Sequence, residues 1–76
     1  MIDVRLYAYL PAASSHGSSE LQVEARPGLT VRDVITGAGI PPEAVVIVLI
    51  NSERGGLDTV LSDGDRLGLF PAVSGG

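Results

Sequence analysis

Residues 29–39 read LTVRDVITGAG, and the reading of this stretch decides the fold. Thr30 suits an N-cap, its hydroxyl accepting from a first-turn amide. Asp33 stands three residues on, at the capping-box position that Glu or Gln usually holds. Leu29 and Val34 occupy the two positions of a hydrophobic staple, and Val31, Val34, Ile35 and Ala38 make an apolar stripe at helical spacing. Gly37 and Gly39 stop the helix after about two turns, and Pro41-Pro42 prevent its resumption. One short helix can cover one face of one sheet. The strands on either side must therefore share a single sheet, whose other face is left to solvent or to a partner.

N-terminal to the helix, Ile2, Val4, Leu6, Ala8 and Leu10 alternate with Asp3, Arg5, Tyr7 and Tyr9. This period of two predicts a strand with the first set inward, ended by Pro11. Residues 12–19 are small and polar and read as a loop. A second alternation puts Leu21, Val23 and Ala25 inward and Gln22, Glu24 and Arg26 outward, so the two runs form an antiparallel hairpin. On the other side, residues 44–50 are continuously apolar and rich in β-branched residues, which predicts a strand with little solvent exposure. Residues 51–56 are turn-prone, Leu57 and Leu61 insert into the core from an irregular segment, and Asp63-Gly64-Asp65 is a turn. Residues 67–70 form the last strand, with Leu67 and Leu69 inward. Residues 71–76 lack periodicity and read as an extended, mobile tail. The order is α+β: a domain over residues 1–70 and a flexible tail over 71–76.

Composition narrows what such a domain can do. The 76 residues hold no cysteine, so packing alone must stabilise a small core, and any sulfur the protein handles cannot sit on a side chain. The formal net charge of -4 argues against nucleic acid and anionic membrane as partners. All five basic residues are arginine, so no lysine is present to act as a nucleophile or acceptor. No apolar run is long enough to span a bilayer and no signal-peptide pattern opens the chain, so a cytoplasmic location is expected.

No enzyme constellation emerges. The single histidine, His16, lies among serines and glycine without a partner nucleophile. Turn chemistry explains Asp63 and Asp65 without a metal, and Gly55-Gly56 lacks the strand-helix context of a phosphate loop. Two features remain. One is the terminal Gly75-Gly76. The other is that the three aromatics, Tyr7, Tyr9 and Phe70, all fall on the outer parity. If the first and last strands are neighbours, Tyr7 and Phe70 form one exposed apolar patch at the root of the tail, and such patches mark binding surfaces.

Asp63-Gly64-Asp65, then Leu67 and Leu69, then Phe70-Pro71-Ala72-Val73-Ser74-Gly75-Gly76 resembles the C-terminal signature of the MoaD/ThiS family of ubiquitin-like sulfur carriers. The strand over residues 1–8, the helix entry at Leu29-Thr30-Val31 and Asn51 after the third strand match the same layout. The Phe-Pro leans toward MoaD, the small subunit of molybdopterin synthase. Ala72, where a second proline is usual, and Arg54, where an apolar residue is usual, depart from it.

The resemblance implies a β-grasp, a mixed sheet packed on one helix with first and last strands parallel and adjacent. It implies that Gly76 is adenylated and becomes a thiocarboxylate, while Gly75, Ser74 and Val73 thread a narrow channel and Phe70, Tyr7 and Pro71 dock the partner. It implies no bound cofactor, with ATP and Mg²⁺ used by an adenylating enzyme of the MoeB/ThiF type, and an acceptor subunit of the MoaE type. The protein is then a carrier, not an enzyme. Carriage of sulfur for thiamine thiazole or cysteine synthesis, or isopeptide modification of other proteins, shares the same tail chemistry and stays open.

Overall fold

The computed structural model describes residues 1–8, 10 and 19–71. Five strands and one α-helix follow in the order β1 (Ile2–Leu6), β2 (Glu20–Val23), α1 (Val31–Gly37), β3 (Val45–Ile50), β4 (Glu53–Gly55) and β5 (Arg66–Pro71), with a 3₁₀ turn at Pro42–Ala44 before β3. The strands form one sheet in the order β2-β1-β5-β3-β4. β1 and β5 are parallel neighbours, with Val4 opposite Leu67 and Leu6 opposite Leu69, and the remaining pairs are antiparallel. This is the mixed sheet expected, with β1 and β2 as the hairpin. The core lies on one face, where Ile2, Val4 and Leu6 of β1, Leu67 and Leu69 of β5 and Val48 of β3 are buried in one cluster with Val31, Val34 and Ile35 of α1.

The helix forms as its sequence dictates. Asp33 N donates to Thr30 Oγ1 at 3.2 Å and Thr30 N to Asp33 Oδ2 at 3.0 Å, so the capping box is complete with aspartate in the glutamate position. Leu29 and Val34 are both buried, as a staple requires. Ala38 caps the C-terminus and Gly39, at φ 79°, turns the chain away. The bonds from Thr30, backbone first and hydroxyl second, hold the Asp33 carboxyl below its ordinary value of 3.8. Such a group stabilises the fold above its unfolded pKa, and the contribution is lost as pH falls through the lower, folded value. The contribution of Asp33 to the urea midpoint is therefore expected to be constant over pH 5–7 and to be lost progressively below about pH 3.8. Thr30→Ala should cost about 1 kcal/mol at neutral pH, read from the same urea curves.

Three expectations are corrected. β1 ends at Leu6 rather than running to Pro11: Ala8 takes a left-handed φ of 55° and is exposed, not inward, although Leu10 is buried. β3 is covered on one side only. Val48 is buried but Val46 is 57% exposed, at a register shift between Val45 and Ile47. A continuous apolar run signalled two covered faces, yet one helix can supply only one. Finally, residues 51–56 hold a strand. Asn51 and Ser52 take φ of 52° and 72° and make a two-residue turn, so that Ile50 pairs with Glu53 and Leu49 with Arg54. Such left-handed turns match the twist of a hairpin. The Asn51 side chain fixes the corner, accepting from Arg66 N and donating to Asp65 Oδ1, both at 3.0 Å.

Candidate functional site

The face of the sheet opposite α1 carries the site. Asp3 and Arg5 of β1, Arg66, Gly68 and Phe70 of β5, and Ile47 and Leu49 of β3 share this face by register. Tyr7 joins them just past β1, where its N–H donates to Leu69 O at 3.1 Å and continues the parallel pairing. The Tyr7 and Phe70 rings stack with centroids 4.2 Å apart and planes within 6°. Tyr7 remains 40% exposed. The rings overlook an open hollow of about 760 Å³ with Gly68 and Leu49 in its lining. Its charges differ in their commitments. Arg5 pairs with Glu20 at 3.2 Å, and Asp3 accepts from Gln22 Nε2 at 3.1 Å. The exposed Arg66 makes no ion pair among the described residues.

The structure thus brings together Tyr7 and Phe70, as parity and strand adjacency anticipated. It does not bring Pro71 to the same surface. β5 continues through Pro71, which is buried opposite Val45, because Leu67, Leu69 and Pro71 share the inward parity. Pro71 therefore anchors the strand end in the core and is unavailable to dock a partner. Val73, Ser74, Gly75 and Gly76 lie outside the described residues, as do Tyr9 and His16. Gly68, Leu49 and Arg66 were not singled out from sequence. The outward parity of β5 carried a signal for Gly68 and Arg66, whereas the unbroken apolar run over β3 hid which of its residues faced outward. Among the described residues no group of His, Cys, Asp or Glu side chains could hold a metal ion. No helix among them is long and apolar enough to cross a membrane.

The mixed sheet on one helix, with parallel central strands and a stacked aromatic pair at the end of the last one, defines a ubiquitin-like β-grasp domain. The chain belongs to the ThiS family, whose model matches residues 4–76. No curated protein gives a significant match. Among solved structures it is similar to SAMP1 from Haloferax volcanii, at 28% identity over 99% of this chain and 98% of that one, with a TM-score of 0.74. A chain assigned as molybdopterin converting factor subunit 1 from Pyrococcus furiosus matches at 25% identity, over 95% and 97% of the two chains, with a TM-score of 0.72. A chain of the Amycolatopsis orientalis BexX/CysO complex matches at 29% identity over 100% of both, with a TM-score of 0.66. The family and its neighbours are small ubiquitin-like sulfur carriers and modifiers.

Proposed function

We propose that the protein is a sulfur carrier whose Gly76 carboxylate is activated by an adenylating enzyme and converted to a thiocarboxylate. The observation that carries this reading is the family match running through Gly76 on a domain whose exposed aromatic stack stands at the root of that segment. A terminal carboxylate, with a pKa of about 3.5, is ionised at neutral pH. Aligned by the enzyme and screened by Mg²⁺, it attacks the α-phosphate of ATP and expels pyrophosphate. A persulfide sulfur then displaces AMP from the acyl carbon, and a thiol reductant cleaves the S–S bond to leave the thiocarboxylate. The carrier supplies a recognisable body and a deliverable end; ATP and Mg²⁺ belong to its partner. Gly75 lets the chain pass a channel too narrow for side chains, with Ser74 and Val73 leading into it.

Molybdopterin synthesis in the cytoplasm is the leading destination, because the Phe70-Pro71 pair leans that way. Thiazole synthesis, cysteine synthesis and lysine modification are the rivals. Incubation with ATP, the cognate adenylating enzyme and a sulfur donor should add about 16 Da at the terminal carboxyl, oxygen exchanged for sulfur. No such shift anywhere in the chain would reject the carrier reading. Adducts that survive reductant and map to lysines of other proteins would favour the modifier.

Docking on the Tyr7/Phe70 stack makes a separate expectation. Phe70→Ala should weaken binding to the adenylating enzyme by about 2 kcal/mol, or some thirtyfold, as truncation of an aromatic anchor does. Titration calorimetry measures it, with far-UV circular dichroism as the check on folding. Unchanged affinity would remove the stack from the docking surface.

A further inference from the structure

We propose that Pro71 is a positioning residue for the C-terminal segment: by offering Tyr7 no N–H it ends β1 across the sheet, and so keeps β1 from pairing along the residues that carry Gly76. This role rests on the carrier reading, because it matters only if the end of the chain must reach an enzyme.

In a parallel pair the rungs are evenly spaced, and every second residue of one strand bonds the two residues that flank its partner on the other. Asp3 N donates to Asp65 O and Tyr7 N to Leu69 O, both at 3.1 Å, with Asp3 level with Arg66 and Arg5 level with Gly68. Asp65, Leu67, Leu69 and Pro71 therefore turn their backbone groups toward β1. The next rung would be an N–H from residue 71 to Tyr7 O, and proline has none. Tyr7 O accepts instead from Leu10 N at 3.2 Å, which closes a turn through Ala8. On the β3 side the proline removes nothing, because Arg66, Gly68 and Phe70 face that strand, as Asn51 N donating to Arg66 O at 2.8 Å marks. The one donor that Pro71 lacks is the one aimed at β1.

Nothing in the neighbouring sequence asks for that turn. Ile2, Val4, Leu6, Ala8 and Leu10 hold one parity, so in its letters the strand runs on. Ala8 nevertheless has φ of 55°, a region that penalises a Cβ and that glycine or asparagine usually fills. Among the described residues the other two side-chain-bearing residues of positive φ, Asn51 and Ser52, belong to the corner between β3 and β4. Ala8 has no hairpin to account for it. Burial of Leu10 offsets part of the penalty once the turn has formed, but the reason to leave the sheet at this level is the rung that Pro71 withholds. Given an N–H at position 71, Tyr7 O would have its partner in line and β1 could extend. Pairing could then proceed along the segment beyond residue 71, and each residue so bound would draw the end back by about 3.3 Å.

Wild type, P71A and the double variant P71A/A8G are compared as full chains by NMR, and by mass spectrometry of sulfur loading with ATP, the cognate adenylating enzyme and a sulfur donor. In P71A the new amide at position 71 should be protected from hydrogen exchange and Ala8 should become extended. Loading should slow about three- to tenfold, the population shift that one net ladder hydrogen bond sustains. Glycine takes positive φ readily, so A8G in the same background should restore the turn and most of the loading. P71V, which keeps more apolar volume in the core, replaces P71A if that variant does not fold, with the same outcomes. An unprotected amide at position 71 beside a left-handed Ala8 would overturn the strand-ending role. Loading at the wild-type rate by a variant that does extend β1 would overturn the positioning role. Slow loading that A8G does not rescue would assign the effect to lost stiffness or packing at Pro71, and overturn it too. A wild type that gains no sulfur overturns the carrier reading itself, and the NMR comparison then decides alone whether Pro71 ends β1.

Discussion

Deletion of Gly76 is expected to abolish sulfur loading while leaving the domain as stable as the full chain. On the proposed reading the carboxylate oxygen of the last residue attacks the α-phosphorus, so removing one residue withdraws the reacting carboxylate by up to about 3.5 Å. Displacements of even about 1 Å can cost some 10²-fold in an aligned reaction. One added residue should fail for the converse reason, because the carboxylate overshoots the α-phosphate. Stability is untouched because the buried cluster runs from Ile2 to Leu69 and the sheet ends at Pro71. Intact-mass measurement of sulfur incorporation, beside a urea curve, tests both halves. Thiocarboxylate on the extended chain without processing would sink the reading, and a lowered urea midpoint would show that the end of the chain serves the fold.

The second large effect concerns the core. Leu69→Ala should remove about 2–5 kcal/mol of stability. Leu69 is fully buried in β5 between Leu6 of β1 and Val48 of β3, both buried as well. Central strands with a neighbour on each side have little room to collapse around a cavity, so the cost belongs in the upper part of that range. A domain this small commands about 0.05–0.15 kcal/mol per residue in total, and no disulfide supplements it. The melting temperature should fall by at least about 10 °C. A loss under about 1 kcal/mol would mean that the site relaxes around the missing atoms. Phe70→Ala, next along the strand but on the outer face, should cost far less stability than Leu69→Ala. The pair together reads out the two faces of one strand.

Several of these features are written locally. The capping box, the staple and the stop at Gly37-Ala38-Gly39 involve residues within a turn or two of each other, and each formed as read. The outward parity of Tyr7 and Phe70 was legible in the same way. Other features depended on distant parts of the chain. β4 has no apolar alternation, since Glu53-Arg54-Gly55 is exposed throughout. It exists because the left-handed corner at Asn51-Ser52 returns the chain along an unoccupied edge of β3. The end of β1 was misplaced because Ala8 continues the alternation in letters while its backbone turns left-handed. Pro71 was assigned to the tail because residues 71–76 lack periodicity, but it continues the inward parity of β5 opposite a register irregularity in β3, and bulges are among the places where a sheet tolerates proline.

The sequence by itself determined a single short helix, the faces of the strands and hence an α+β domain with one uncovered face, because hydrophobic period and capping chemistry act over a few residues. Tertiary structure alone decided that Tyr7 and Phe70, 63 positions apart, stack ring on ring beside Gly68 and Leu49. The physical reason is the parallel pairing of the first and last strands. No local pattern encodes the register of that pairing, which is set when Val4 and Leu6 seat against Leu67 and Leu69 in one core.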